Sequence, residues 1–234
     1  MTSESPGPPA PAGPRDRFVQ AALTVLERDG PSALQARRVA SEAGVSTMGV
    51  YSHFGGMAKL IEAMMREGFS RFAAHVRRVP QTDDPMADLM SGGLAYSEFA
   101  LRNPQLYRLL FHVTEIPGMP VPSADTMPWM LTEGVDALSV LEAAVQRVID
   151  AKRIRDQDAR AAATQVLSVT HGFVLLVMAG AVGPQAFPDV MVPLTVNLMV
   201  GLGGRRELVE QSLATAVGTR FQRHGGAAGT ENKL

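Results

Sequence analysis

The sequence predicts an all-α chain, a small N-terminal three-helix part followed by a larger C-terminal helical part. Three observations predict it. Apolar residues recur at helical spacing along most of the chain. No alternating strand pattern, repeat or heptad array interrupts them. Prolines at 104, 117, 120, 122, 128, 184 and 188 fall near the joints between periodic stretches, where a missing amide donor does least harm.

The elements follow in order. Residues 1–14, MTSESPGPPAPAGP, form a Pro/Gly/Ala/Ser tail with no apolar signal-peptide core, and disorder is expected there. The functional alternative is a flexible arm that leads Arg15 and Arg17 to DNA. Phe18, Ala22, Val25 and Leu26 mark a first helix ended by Asp29-Gly30-Pro31. Ala36, Val39, Ala40 and Ala43 mark a short second helix closed by Gly44. Ser46 is placed to cap a third, which Gly55-Gly56 stops just beyond Phe54. Ile61, Met64, Met65, Gly68 and Phe72 extend a fourth to about Arg78. Helical patterns then resume over 86–102, 104–115, 126–151, 157–181, 187–200 and 205–222.

Composition narrows the function. The chain has 234 residues, 46% of them hydrophobic, enough for one domain or two small ones. Its net charge of −1 rules out a general polycation, yet residues 1–78 hold 10 Lys/Arg against 7 Asp/Glu. The remainder holds 12 against 16, a balance that permits nucleic-acid binding by the N-terminal end without demanding it. With no cysteine, disulfides, thiolate metal sites and cysteine nucleophiles are excluded. The longest apolar runs, FVLLVMAGAV and VMVPLTVNLMV, stop short of the roughly 20 residues of a membrane span. The expectation is a soluble, cytoplasmic protein with no membrane partner.

The second and third helices carry the main functional signal. Ala40 lets two backbones approach, Gly44 supplies a left-handed turn, and Val39, Val45 and Val50 fill the wedge between them. That is a helix-turn-helix, a unit whose second helix can enter a DNA major groove by its N-terminal end. The alternative is a plain helical hairpin within a bundle. On the outward face, Ser46, Thr47, Met48, Gly49 and Ser52 fall near base edges, and Tyr51 and His53 can donate to phosphate oxygens. Arg37 and Arg38 open the preceding helix, where the dipole also favours a phosphate.

The stretch VASEAGVSTMGVYSHFGGMAKL resembles the N-terminal domain of the tetracycline-repressor (TetR) family. The resemblance rests on Ala40, Ala43-Gly44-Val45-Ser46, Tyr51-x-His53-Phe54 and Leu60, within about 45 residues. More weakly, LRNPQLYRLLF (101–111) and THGFVLLVMAG (170–180) resemble the C-terminal subgroup with a Trp-His-Gly signature, here with Thr170 in place of the tryptophan. Membership implies a homodimer, an N-terminal reading domain and a C-terminal ligand pocket that controls release; the expected bounds are 15–56 for the reading domain and 57–223 for the ligand-binding and dimerisation domain, with a disordered tail at 224–234. It implies a double-stranded operator and a small-molecule effector as partners, and no cofactor. Two positions depart from the family pattern. Met57 stands where a lysine is usual, with Lys59 two residues on as its candidate substitute, and Gln35 replaces a hydroxyl cap.

Candidate effector contacts are Phe72, Phe99, Tyr107, Phe111, Trp129, Met130, Leu167, His171 and Leu175. The aromatic residues among them, with Tyr96 and Met127, read first as core, and methionines repack readily around varied ligands. His171 reads as a hydrogen-bonded core histidine or, alternatively, as part of a pocket wall with Leu167, Leu175 and Met178. Gly172, inside an apolar helix, suggests a close helix approach. Glu98, His112 and Glu115 read as solvated, and IPGMPVPSADTMP (116–128) as a loop or pocket lid. Stripes at Ala163, Val166 and Val169 and at Leu208, Leu213 and Val217 suggest a four-helix dimer interface.

An enzyme is the rival class. The chain contains no Glu-x-x-His, His-Glu-x-x-His, Gly-x-Ser-x-Gly or Gly-x-x-x-x-Gly-Lys motif. Histidines 53, 75, 112, 171 and 224 have no metal-ligand spacing, so neither catalytic nor metal residues are expected. A helical adaptor without operator specificity is the second alternative.

Overall fold

The computed structural model describes residues 13–111, 128–183 and 185–225. Side chains of 128–137 and 220–225 are not among those described. The described residues contain ten α-helices and no strand. They are α1 (Pro14–Asp29), α2 (Ala36–Glu42), α3 (Met48–Phe54), α4 (Met57–Arg77), α5 (Pro85–Arg102), α6 (Pro104–Leu110), α7 (Pro128–Asp150), α8 (Ala159–Met178), α9 (Val192–Gly201) and α10 (Arg206–Gly225). Half of them begin at a proline or behind an acidic cap: α1, α5, α6 and α7 start at a proline, and α8 follows Asp158. The chain divides into two compact units, one holding the residues up to Gly68 together with the segment from Gln105, the other holding Phe69–Pro104 and the residues from 128 onward.

In the first unit, α1 presents Phe18, Ala22, Val25 and Leu26, each at most 1% exposed. Val39 and Ala40 of α2, Val50 and Phe54 of α3, and Leu60, Ile61, Met64 and Met65 of α4 are buried with them. Within the same unit, α6 packs against the middle of α4 closely enough to require Gly68. A β-carbon there would lie 2.8 Å from Leu106 Cδ1 and 2.9 Å from Leu110 Cδ2. Glu27 of α1 supplies an acceptor for the otherwise orphaned amides at the start of α6, with Leu106 N donating to Oε1 at 2.7 Å.

In the second unit, α5 packs against α7, α8 and α10. Met86, Met90, Val145, Val148, Ile149, Ile154, Val196, Met199 and Val209 form its main core. A polar staple holds the helix ends in place. Asp84 caps α5 by accepting from the Met86 and Ala87 amides, and it also accepts from Ser212 at 2.6 Å and Arg153 at 3.0 Å. Arg153 reaches on to the Leu208 carbonyl, and Arg147 ties Asp88 to the Thr82 carbonyl.

Three expectations are corrected here. The run 187–200 is not one regular helix: Phe187–Met191 is a π-helical turn before α9. Pro193 has no amide to offer Asp189, and the chain widens so that Val192 N bonds Phe187 O instead. Ala163 is fully buried, and Val166 and Leu213 pack on the same core, so these residues are not an exposed stripe. Gly172 is not at a close approach either, because a β-carbon there would meet nothing within 4 Å.

Candidate nucleic-acid interface

The α2–α3 turn is built by backbone bonds. Ala43 ends α2, Gly44 adopts φ 67°, Gly44 N donates to Ser41 O at 3.2 Å and Val45 N to Ala40 O at 3.0 Å. This left-handed cap satisfies carbonyls that the helix end would otherwise orphan, and glycine adopts the conformation without steric cost. Ser46 was expected to cap α3 by its hydroxyl; the helix instead starts at Met48 with Thr47 in the cap position. The Ser46 and Thr47 carbonyls receive the Gly49 and Val50 amides. Gln35 stands at the cap of α2 without a side-chain bond to it.

Val50 and Phe54 turn inward from α3, which leaves Ser46, Thr47, Met48, Tyr51, Ser52 and His53 exposed. Met48 is 73% and Tyr51 53% accessible, so two large side chains of α3 face solvent together. Gly49 belongs to the other side. A β-carbon there would fall 2.4 Å from Phe18 Cζ, so the residue is small in order to admit the α1 ring. Phe18 also stands edge-on to Phe54, with centroids 6.1 Å apart, and 5.8 Å from the His53 ring.

The cations around α3 differ in their availability. Arg37 is exposed and has no ionic partner among the described residues. Arg38 pairs with Asp29 at 3.0 Å, and Arg28 bridges Asp29 and Glu42 at 2.9 Å each. The Arg28 guanidinium, seconded by Arg38, holds the Asp29 carboxyl below its usual range. Lys59, the expected substitute for a lysine at Met57, pairs with Glu62 at 2.8 Å, and Arg66 approaches the same carboxylate at 3.3 Å. Lys59 holds Glu62 below the usual carboxylate range against the opposing effect of partial burial. Sequence spacing shows which cations lie near α3 but not that Arg28 and Arg38 are engaged, which depends on where Asp29 and Glu42 fold.

The expected effector residues lie in several settings. In the second unit, Phe72 meets Tyr96 and Phe99 edge-on at 5.1 and 5.3 Å. The Tyr96 hydroxyl and His171 Nδ1 share a 2.9 Å hydrogen bond, and burial holds the His171 pKa below its usual value. Glu98 pairs with Arg102 at 2.6 Å. Leu167 and Leu175 are half-buried on α8. In the first unit, Tyr107 is fully buried with Phe111 beside it at 4.6 Å. The side chains of Trp129 and Met130, together with His112, Glu115, Met127 and most of the 116–128 loop, lie outside the described residues.

A cavity of about 40 Å³ lies between α5, α8, α10 and the π turn with α9, lined by Leu89, Met90, Val169, Phe187, Met191 and Leu198 among others. None of the seven expected effector residues whose side chains are described lines it. Its polar edge is Ser97, Thr170 and Thr195. Among the described residues no three His, Cys, Asp or Glu side chains gather as a metal site.

Comparison with known proteins finds the family and the fold. Residues 18–64 match the model of bacterial regulatory proteins of the tetR family, and 89–199 match that of the tetracyclin repressor-like C-terminal domain. Over 102 residues the chain is 32% identical to the HTH-type transcriptional repressor DrrR1 of Streptomyces coeruleorubidus, a match that covers 43% of this chain and only 34% of that protein. It is 25% identical over 193 residues to an uncharacterized HTH-type transcriptional regulator, Rv0681, of Mycobacterium tuberculosis, covering 82% of each. A solved structure of a protein of unknown function from Rhodococcus sp. RHA1 shares the fold with a TM-score of 0.69 and 24% identity, over 83% of this chain and 98% of that one.

Proposed function

The chain belongs to the TetR family and is a DNA-binding transcriptional regulator rather than an enzyme, and from that premise we propose that it acts as a cytoplasmic repressor, a homodimer released from its operator by a small, mostly apolar effector. The observation that carries the reading is the exposed face of α3, with Thr47, Met48, Tyr51, Ser52 and His53 outward on a helix fixed from behind by Phe18. In this reading the α3 face lies in the major groove, Tyr51 and His53 donate to phosphates, and Arg37 reaches a phosphate or a guanine edge. Residues 15–56 read DNA, and 57–223 bind the effector and the second copy.

Two features support the dimer. The helix α8 is long and apolar enough by composition to cross a membrane, yet only 33% of its most apolar window is buried within the protomer. Its Leu176 is 48% exposed, and the space at Gly172 is open. A second copy packed there would use both. The effector reading is supported by the apolar cavity beside the π turn, since π turns often mark functional sites. The effector then acts by favouring the DNA-incompetent state, with α4 (residues 57–77) carrying the change, and typical couplings are about 1–3 kcal/mol. Linkage makes the effect reciprocal. Calorimetry of an effector found by operator-release screening, with and without operator present, tests it. Weaker effector binding in the presence of DNA supports the mechanism, and equal affinity refutes it.

A further inference from the structure

The reading helix brings no Lys, Arg, Asp or Glu of its own, and across residues 43–61 Lys59 is the one such side chain. Phosphate charge has to be met by neighbouring elements, because duplex affinity depends on how many phosphates are neutralised. Among the described cations of the first unit, Arg28 and Arg38 are engaged by Asp29 and Glu42, and Lys59 and Arg66 by Glu62. Arg15, Arg17 and Arg37 pair with no carboxylate among the described residues. Of these three, Arg15 touches α3: its guanidinium carbon lies 5.0 Å from the centre of the Phe54 ring.

That contact is set by the packing beneath it. Arg15 and Phe18 are three residues apart on α1, hence on one face. Phe18 docks that face onto α3 through Gly49, His53 and Phe54. Arg15 therefore sits at the C-terminal end of the reading helix, against Phe54. The ring contact restrains the guanidinium but consumes none of its five N–H donors, as a carboxylate would.

We propose that Arg15 is a phosphate contact of the DNA interface, carried on the reading helix by its seat on Phe54. It adds affinity without adding sequence preference. The proposal rests on the regulator reading above and deepens it.

The test compares wild type, Arg15→Gln and Arg15→Lys on an operator fragment selected by the wild-type chain and on a mixed-sequence duplex, across a salt series. For Arg15→Gln, the plot of log affinity against log salt becomes shallower by about 0.9 for each Arg15 engaged, roughly a 3.5-fold smaller loss per fourfold rise in salt. The ratio of operator to mixed-duplex affinity stays unchanged, and Arg15→Lys keeps most of the slope. Thermal melting confirms that the exposed substitutions leave the fold intact. If wild type binds both duplexes and Arg15→Gln keeps the wild-type slope, this proposal falls and the regulator reading stands. A changed operator ratio also overturns it, because it marks a base contact. If wild type binds neither duplex, both fall together.

Discussion

Gly49 lies directly under the ring of Phe18, so that a β-carbon at position 49 would stand 2.4 Å from Phe18 Cζ. Phe18 is 1% exposed and has little room to retreat. Gly49→Ala is therefore predicted to destabilise the first unit by about 1–3 kcal/mol, as overpacking of a filled core does. It should also weaken operator binding by shifting α3. Thermal melting beside a gel-shift titration checks both effects, and an unchanged melting temperature would show that the ring moves freely.

Arg37→Ala is predicted to cost about 1–3 kcal/mol of operator affinity if the side chain reads a guanine edge. A loss spread evenly over all sequences, with a shallower salt slope, marks a phosphate contact instead. Fluorescence anisotropy on operator and mutated operators separates the two. Unchanged affinity in both Arg37→Ala and Tyr51→Phe would contradict the placement of α3 in the groove.

Much of this was legible in the sequence. Asp29-Gly30-Pro31, Gly44, Gly55-Gly56, Pro85 and Pro104 stop or start helices by local backbone chemistry, and the observed boundaries follow them. Most of the exposed face of α3 was legible for the same reason, because Val50 and Phe54 fix which side of a short helix is buried, but Gly49, expected outward, packs against Phe18. Which face of α8 is covered was not. Nearly every side of that helix is apolar, and burial of Ala163 and Val166 depends on distant α5, α7 and α10. The engagement of Lys59 by Glu62 was within reach of an i,i+3 argument. The reach of Glu27 to the α6 amides, 79 residues away, was not.

Asp84 gives a pH dependence with a definite sign. Burial alone would raise its pKa, but the Ser212 hydroxyl, the Ala87 amide, Arg153 and the Met86 amide outweigh it and hold the value below the usual range. A carboxyl depressed in the folded state contributes stability above its unfolded pKa, near 3.9, and loses it as pH falls through the folded value. Melting temperature should thus drop below about pH 4, and Asp84→Asn should be less stable at neutral pH and lose less on acidification. An equal acid-induced drop in the two proteins would remove Asp84 from the account.

Leu176→Glu places a charge on the open face of α8, where the native side chain is 48% exposed. Because Val166 is part of the protomer's own core, it is a poorer test of assembly than Leu176. Sedimentation should show wild type as a dimer and Leu176→Glu as a folded monomer with lost operator binding. A dimeric variant would move the interface elsewhere.

The most direct test of the central claim, that this chain reads specific DNA through paired α3 helices, is sequencing of the genomic fragments that the purified protein retains. The account predicts a small set of fragments sharing an inverted repeat, with half-sites about one helical turn or a multiple of it apart. Retention of fragments with no common sequence, at affinities no better than for a mixed duplex, would contradict it.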